Sequence, residues 1–533
     1  MGSRFILLLI PVSVGFCFQI PAPSLSGDFG AHWQYEHNSD TIRQRDPSSG
    51  YYLMLNTLLN WFSFNADLNL LYSSDDKFTA QKINRFNLNL NPAIPSWRWV
   101  KLHLGDFAPT LSAFTLSGTP ISGAGLELAP GHWRFNLING ESRRISKDPL
   151  NWSYRRGISA FRLGSEDLSL ILLKVKDDTS SLESTDTIVP VRPQENLVLG
   201  LTSNFMIANI LSFDVEGTGS AHTRDLRNDT IYLAGLPRFA YSFYTPRHSS
   251  HLDFALRGTL NFKSRFALLS IGFQQVGPGF TSLGLPYLKN DLQKWSLGVT
   301  TKSIPKTDIR IGLEKEYDNL IKDKLATTKT DNLNLSVIFS PFPLVNIVGN
   351  YNQKKMQKAV RNDNFSLNSL SHVVSFMPNF NFGLWGINQN LMAVVNYQDH
   401  KDRMPLSQTP VSSILSIGVN FSITPKIPVT FNTAFSQTYN LSLAGQINPE
   451  SYHSYGLTAD RALLKDKLKN SMTFNFQPSI LGNNYSLNGN HSYSLTKRDI
   501  LNFVWYLGLF SSAKQSVNNF NLQMVQLNYT RRI

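Results

Sequence analysis

Seven basic residues crowd one stretch of this chain: Arg134, Arg143, Arg144, Lys147, Arg155, Arg156 and Arg162, against Glu141 and Asp148. Guanidinium groups stay charged and present forked donors, so their chemistry is anion recognition. Lining a water-filled passage, they would attract anions and select for them. At a membrane rim they would pair with lipid phosphates. In a solvated loop they would do neither, and all three readings are open at the level of sequence. The formal net charge of +13 agrees with each of them. No nucleic-acid recognition module accompanies the cluster, so nucleic acid is not an expected partner.

Other chemistry finds little support. The 11 histidines are scattered from His32 to His491, with no His-Glu-x-x-His pair and no Gly-x-Ser-x-Gly elbow. Cys17 is the only cysteine, and no Asp-rich loop has calcium-binding spacing. The expectation is no enzyme activity, no catalytic residue, no metal and no cofactor. A second unusual stretch is conformational. Gly105, Asp106, Pro109, Gly118, Gly123 and Gly125 lie within residues 105–131, a density of glycine and proline that marks a tight path rather than a regular strand. A constriction or plug folded inward is one reading, and a bulged hairpin at a rim is the other.

The elements that must position these groups are strands. Leu415, Ile417, Val419, Phe421 and Ile423 alternate with Ser416, Gly418, Asn420 and Ser422. A two-residue period places one chemistry on each face of a sheet. The pattern returns at Phe86–Asn91, at Leu252–Phe262, at Leu333–Phe339 and at Met472–Phe476. Asn is the commonest polar partner, although ordinary strands disfavour it. Water on the polar face and hydrocarbon on the other would account for both observations.

Composition weighs against an inner-membrane protein and leaves a soluble multidomain β-sandwich or β-helix protein as the competing reading. The 533 residues are 42% hydrophobic but only 16% charged, against about a quarter charged in soluble domains. Past the amino terminus no apolar run approaches the roughly twenty residues of a spanning helix. Arg4 followed by Phe5–Ile10 has the layout of a secretory signal peptide, assigned here to residues 1–19. Residues 20–533 are expected to form a single barrel domain. Short Pro-bearing turns at 304–306, 340–343 and 424–426 alternate with long polar links near 316–331, 353–363, 399–410 and 441–452. That sorting of loops predicts a membrane-spanning antiparallel β-barrel of about 24 strands, within a range of 22–26.

On these alternating segments, and on the amphipathic end Leu527–Ile533, the chain resembles the porin-like β-barrels of Gram-negative outer membranes over its whole mature length. The Gly-Asp and Gly spacing of 105–131 also resembles the plug-bearing region of fimbrial ushers and secretion translocons. The resemblance implies an outer-membrane location, contact with outer-membrane lipid and lipopolysaccharide, and insertion by the barrel-assembly machinery. The function it implies is passive passage of small polar solutes, with anion preference from the basic cluster. A plugged export or assembly component is the alternative, and a barrel displaying adhesive loops is a third.

Overall fold

A computed structural model describes residues 24–39, 49–61, 64–74, 84–92, 99–147, 152–182, 191–360, 367–402, 412–425, 429–443, 451–479, 482–512 and 519–533. The assigned signal peptide, with Arg4 and Cys17, lies outside the described residues, as do most of the links predicted at 399–410 and 441–452. Among the described residues, twenty-six strands follow one another along the chain. The first nine are β1 Ser24–Asn38, β2 Ser49–Trp61, β3 Phe64–Ser73, β4 Arg85–Pro92, β5 Val100–Phe107, β6 Ile121–Leu128, β7 Trp133–Arg143, β8 Arg156–Ser165 and β9 Leu168–Asp177. Then come β10 Glu195–Ile207, β11 Leu211–Thr223, β12 Ser250–Lys263, β13 Ala267–Val276, β14 Leu292–Thr301, β15 Thr307–Asp318, β16 Ala326–Phe342, β17 Val345–Val360 and β18 Leu367–Leu384. The ring is completed by β19 Ile387–Asp402, β20 Ser412–Thr424, β21 Val429–Leu443, β22 Ser451–Leu463, β23 Leu468–Ser479, β24 Gly482–Ser494, β25 Asp499–Ser512 and β26 Phe520–Arg532.

Each strand pairs antiparallel with the next, and β26 returns to β1 from Asp28↔Arg532 to Asn38↔Leu522. The sheet therefore closes on itself and leaves no edge of unpaired N–H and C=O groups. Closure is what allows backbone to cross hydrocarbon, where an unpaired polar group has no water to turn to.

Alternation sorts the two faces. On β20, Leu415, Ile417, Val419 and Phe421 fall on one face, paired with Tyr397, Val395, Ala393 and Leu391 of β19. Elsewhere that outer face leaves Leu201, Phe254, Leu457 and Leu507 exposed, which suits contact with lipid. A run of aromatic rings, Phe435–Tyr455–Phe476–Tyr485, crosses four strands with centroids 5.3, 6.0 and 4.9 Å apart. Phe205 and Phe213 stack at 5.0 Å near the opposite end of the wall. Aromatics at both ends of an apolar belt are the expected interface girdles.

The other face is polar and internally bonded. Ser416 and Thr438 hydroxyls lie 3.1 Å apart, Thr458 and Thr473 2.9 Å apart, and Asn475 Nδ2 donates to Ser486 Oγ at 3.2 Å. Asn390 Nδ2 donates to Asn379 and Asn381, both at 2.6 Å. These amide ladders explain why Asn is so common in the pattern, since on a wet lumen face its side chain is satisfied by neighbours and solvent.

The described short turns, among them 129–132, 208–210, 264–266, 343–344 and 464–467, share one end of the ring, and 108–120, 224–249 and 277–291 share the other. Two expectations shift. The polar residues predicted as links at 316–331 and 353–363 belong largely to strands, because β16, β17 and β18 run to 17, 16 and 18 residues. A membrane crossing needs only about 9–11, so their hydrogen-bonded ladders continue into water. The strand number among the described residues is 26, at the upper end of the expected 22–26. The glycine-rich stretch read as irregular contributes β5 and β6, with Gly105 opposite Gly123.

Candidate functional site: the inward links and the arginine-lined lumen

The lumen wall is not uniformly polar. Ile121, Ile138, Ile158, Ala160, Ile171, Leu173, Val175 and Val198 share the inner face of β6–β10 and are almost fully buried. Their strand neighbours Leu137, Phe161, Leu170 and Leu201 point outward and are exposed. Something must cover the inner set, and the link between β5 and β6 does. Residues 108–120 turn into the barrel as a tight hairpin, closed by Leu111 N–H donating to Leu116 O at 2.8 Å and Gly118 N–H to Pro109 O at 3.2 Å. Gly118 has φ of +66°, a conformation that favours glycine. Leu111 and Leu116 complete the apolar cluster, at about 1.5–3 kcal/mol for each fully buried side chain.

A second inward link locks the first. Residues 277–291, between β13 and β14, bring Phe280 edge-on to Phe114 with centroids 6.1 Å apart. Thr119 Oγ1 donates to Gly284 O at 2.5 Å, and Ser282 Oγ donates to Thr115 O at 2.5 Å. The wall holds both links. Asn196 on β10 donates to Thr281 O at 3.0 Å and accepts from Leu283 N–H at 3.0 Å. Glu216 on β11, wholly buried, accepts the backbone N–H groups of Ala113 at 3.2 Å and Phe114 at 2.9 Å. The Arg257 guanidinium lies 3.1 Å from the same carboxylate. Among the described residues, the hydrogen bonds, ion pairs and buried contacts of the two links fall on β5–β15 and the link that follows.

The predicted constriction residues thus divide. Gly105, Asp106, Gly123 and Gly125 are in wall strands β5 and β6, while Pro109 and Gly118 frame the base of the inward hairpin. Gly123 serves close approach, since an added Cβ would stand 2.2 Å from Asn139 O and 2.5 Å from Gly140 Cα. The 277–291 link was missed, although its Gly-Pro-Gly opening marks a tight path.

The basic cluster is also dispersed. Arg134, Arg156 and Arg162 share the lumen-facing register of Ile138 and Ile158. Arg155 falls on the other face, where it reaches Asp178 at 2.7 Å. Hydrogen bonds from Ser180 and then Arg155 hold the Asp178 carboxyl below its ordinary range. Arg134 pairs with Glu166. Arg156 is buried in a bidentate pair with Asp177, Nε to Oδ1 at 2.6 Å and Nη2 to Oδ2 at 2.9 Å. Arg162 Nη2 donates to Ser169 Oγ at 3.2 Å. Arg143 closes β7 after a register shift, and Arg144 and Lys147 follow it in the link to β8. Two arginines outside the cluster, Arg192 and Arg224, line the same cavity as Arg143 and Arg156. Adjacency of β9, β10 and β11 brings them there, which sequence spacing does not show.

A closed antiparallel ring of 26 strands with an apolar exterior and a polar interior is an outer-membrane β-barrel, whose place is the outer membrane of a Gram-negative cell. No family model and no curated protein matches the sequence. Among solved structures the chain is similar to Acinetobacter baumannii OccAB4, with 14% identity, 69% of this chain and 99% of that one covered, and a TM-score of 0.30. It is also similar to Pseudomonas aeruginosa OccK5 (OpdH), with 12% identity, 69% and 99% coverage and a TM-score of 0.29. The outer membrane protein opdK from Pseudomonas aeruginosa gives 10% identity, 69% and 98% coverage and a TM-score of 0.30. The architecture rests on the strand ladder itself rather than on these likenesses.

Proposed function

We propose that this barrel is a passive outer-membrane channel for small polar solutes, narrowed by residues 108–120 and 277–291 and preferring anions. The observation that carries the reading is the eccentric placement of the two links. Their described contacts line one side of the ring, and the opposite wall keeps its Asn, Ser and Thr ladders facing the lumen. A wall-hugging constriction leaves a polar path beside it, whereas a plug would have to reach across. Support for anion preference comes from Arg143, Arg192 and Arg224, which have no ion-pair partner among the described residues and line the lumen side at the long-link end. Converging positive charge in a confined passage raises the local concentration of anions.

Planar-bilayer recording of the purified barrel tests this. A steady conductance without any partner, with a reversal potential favouring anions in a salt gradient, is the expected result. A barrel that stays silent until 108–120 is removed would instead identify a plugged export component.

A further inference from the structure

At the long-link end of the lumen, an open cavity of about 420 Å³ is lined by residues at the ends of β7, β8, β9 and β11 and by Trp152, Tyr154, Arg192 and Gln194 of the neighbouring links. Four arginines line it: Arg143, Arg156, Arg192 and Arg224. Among the described residues Asp177 is the only acidic one in the lining, and its carboxylate is engaged by Arg156 and the Gln194 N–H at 2.9 Å. Asp225, beside Arg224 in the chain, is held by both forked nitrogens of Arg227 at 2.9 Å. Three guanidinium groups from three separate segments therefore face the cavity with no ion pair among the described residues, although Asp177 acts on Arg143 and Asp225 on Arg192 from a distance.

His222 adds an independent sign. Its side chain is 6% exposed and lines the cavity, yet neither ring nitrogen has a hydrogen-bond partner among the described residues. Buried polar atoms are nearly always satisfied, so two open nitrogens on one buried ring call for a group that is not part of the wall. Trp152 and Tyr154 supply a flat apolar side to the same space.

We infer that this cavity binds a small organic phosphate ester, whose dianion is held by Arg143, Arg192 and Arg224 and whose organic body lies against Trp152 and Tyr154. The inference rests on reading the barrel as an anion-preferring channel and names the solute class that channel would hold. One guanidinium satisfies a carboxylate, as Arg156 does for Asp177. A tetrahedral dianion offers enough acceptor lone pairs for forks arriving from several directions. His222 then contributes a donor at the edge of the same anion.

Calorimetric titration of the detergent-solubilised barrel separates this site from the transport reading, because it requires no current. Glucose 6-phosphate should bind, inorganic phosphate more weakly, and glucose not at all. Replacing Arg143, Arg192 and Arg224 together by Gln should weaken glucose 6-phosphate binding by about tenfold or more for each charge-assisted hydrogen bond removed. The Arg192→Lys, Arg224→Lys double variant should fall between, since charge survives but the fork does not. Heat-modifiable gel migration shows that each variant is folded. Acetate or benzoate binding as tightly as the phosphate ester, or glucose 6-phosphate binding unchanged in the triple variant, overturns the assignment. So does the absence of any phosphate binding, even where bilayer recording still reports an anion-preferring channel. Phosphate-ester binding by a barrel that does not conduct would leave the site standing and remove the channel.

Discussion

Single side chains decide whether the inward links stay in place. Glu216 is the clearest case, since one buried carboxylate accepts two backbone N–H groups of the 108–120 hairpin. Glu216→Ala strands both donors, at about 1–3 kcal/mol each, and should raise channel conductance and its open-state noise in bilayer recordings. Glu216→Gln keeps an acceptor and should show a weaker form of the same change. The Arg156–Asp177 pair behaves differently, because removing one partner leaves a buried charge. Asp177→Ala should lower barrel stability by about 3–5 kcal/mol in urea titration, more than loss of any exposed arginine. Asp291 sets a pH dependence at the end of the second link. Burial opposes its ionisation, but Lys324 at 2.5 Å and the N–H groups of Leu320 and Asn319 at 2.8 and 3.1 Å hold its carboxyl below the ordinary range. A depressed folded-state pKa gives stability that is complete above the ordinary carboxylate range and is lost as pH falls through the folded value. Protection of the 319–320 amides, measured against intrinsic exchange at each pH, should therefore fall as the pH drops below the ordinary carboxylate range and not between neutrality and about pH 5. Asp291→Asn, tolerated at its positive φ of 54°, should abolish that dependence.

At the scale of elements, the sequence was legible where one face meets lipid and the other meets water. The alternation of Leu415–Ile423 alone establishes β20 and the face each residue takes. It was less legible around β5 and β6, where glycines fill places that side chains would mark. Gly123 and Gly140 lie opposite each other on β6 and β7, too close for a Cβ on either. Gly123→Val should therefore disrupt this pairing and reduce the yield of folded barrel in a gel-shift assay. A different signal lay unread in β9. Leu170, Ile171, Leu172 and Leu173 are apolar in succession, which a strand between lipid and water has no reason to be. Two apolar faces mean that the lumen side is covered as well, and the cover is the 108–120 hairpin. The seven clustered basic residues were visible in sequence, but their ion pairs were not. Asp177, Asp178 and Glu166, which neutralise much of the cluster, arrive from the neighbouring strand and its links.

Over the whole molecule, the strand ring and the inward links do separate things. The ring, closed by β1 on β26, encloses a lumen that its own wall side chains cannot fill. The described contacts of the two links fall on one side of that lumen, and the arginines stand near its long-link end. Replacing 110–117 with a short Gly-Ser linker should uncover Ile138, Ile171 and Leu173 in the lumen. Dye binding to apolar surface should rise while the barrel still inserts. The most direct test of the account is the current through the unmodified barrel in a planar bilayer under a salt gradient. A steady conductance with anion-favouring reversal, increased by Glu216→Ala and made less anion-selective by neutralising Arg143, Arg192 and Arg224, is the predicted outcome. A barrel that is silent on its own, or that passes cations preferentially with all three arginines in place, would contradict it.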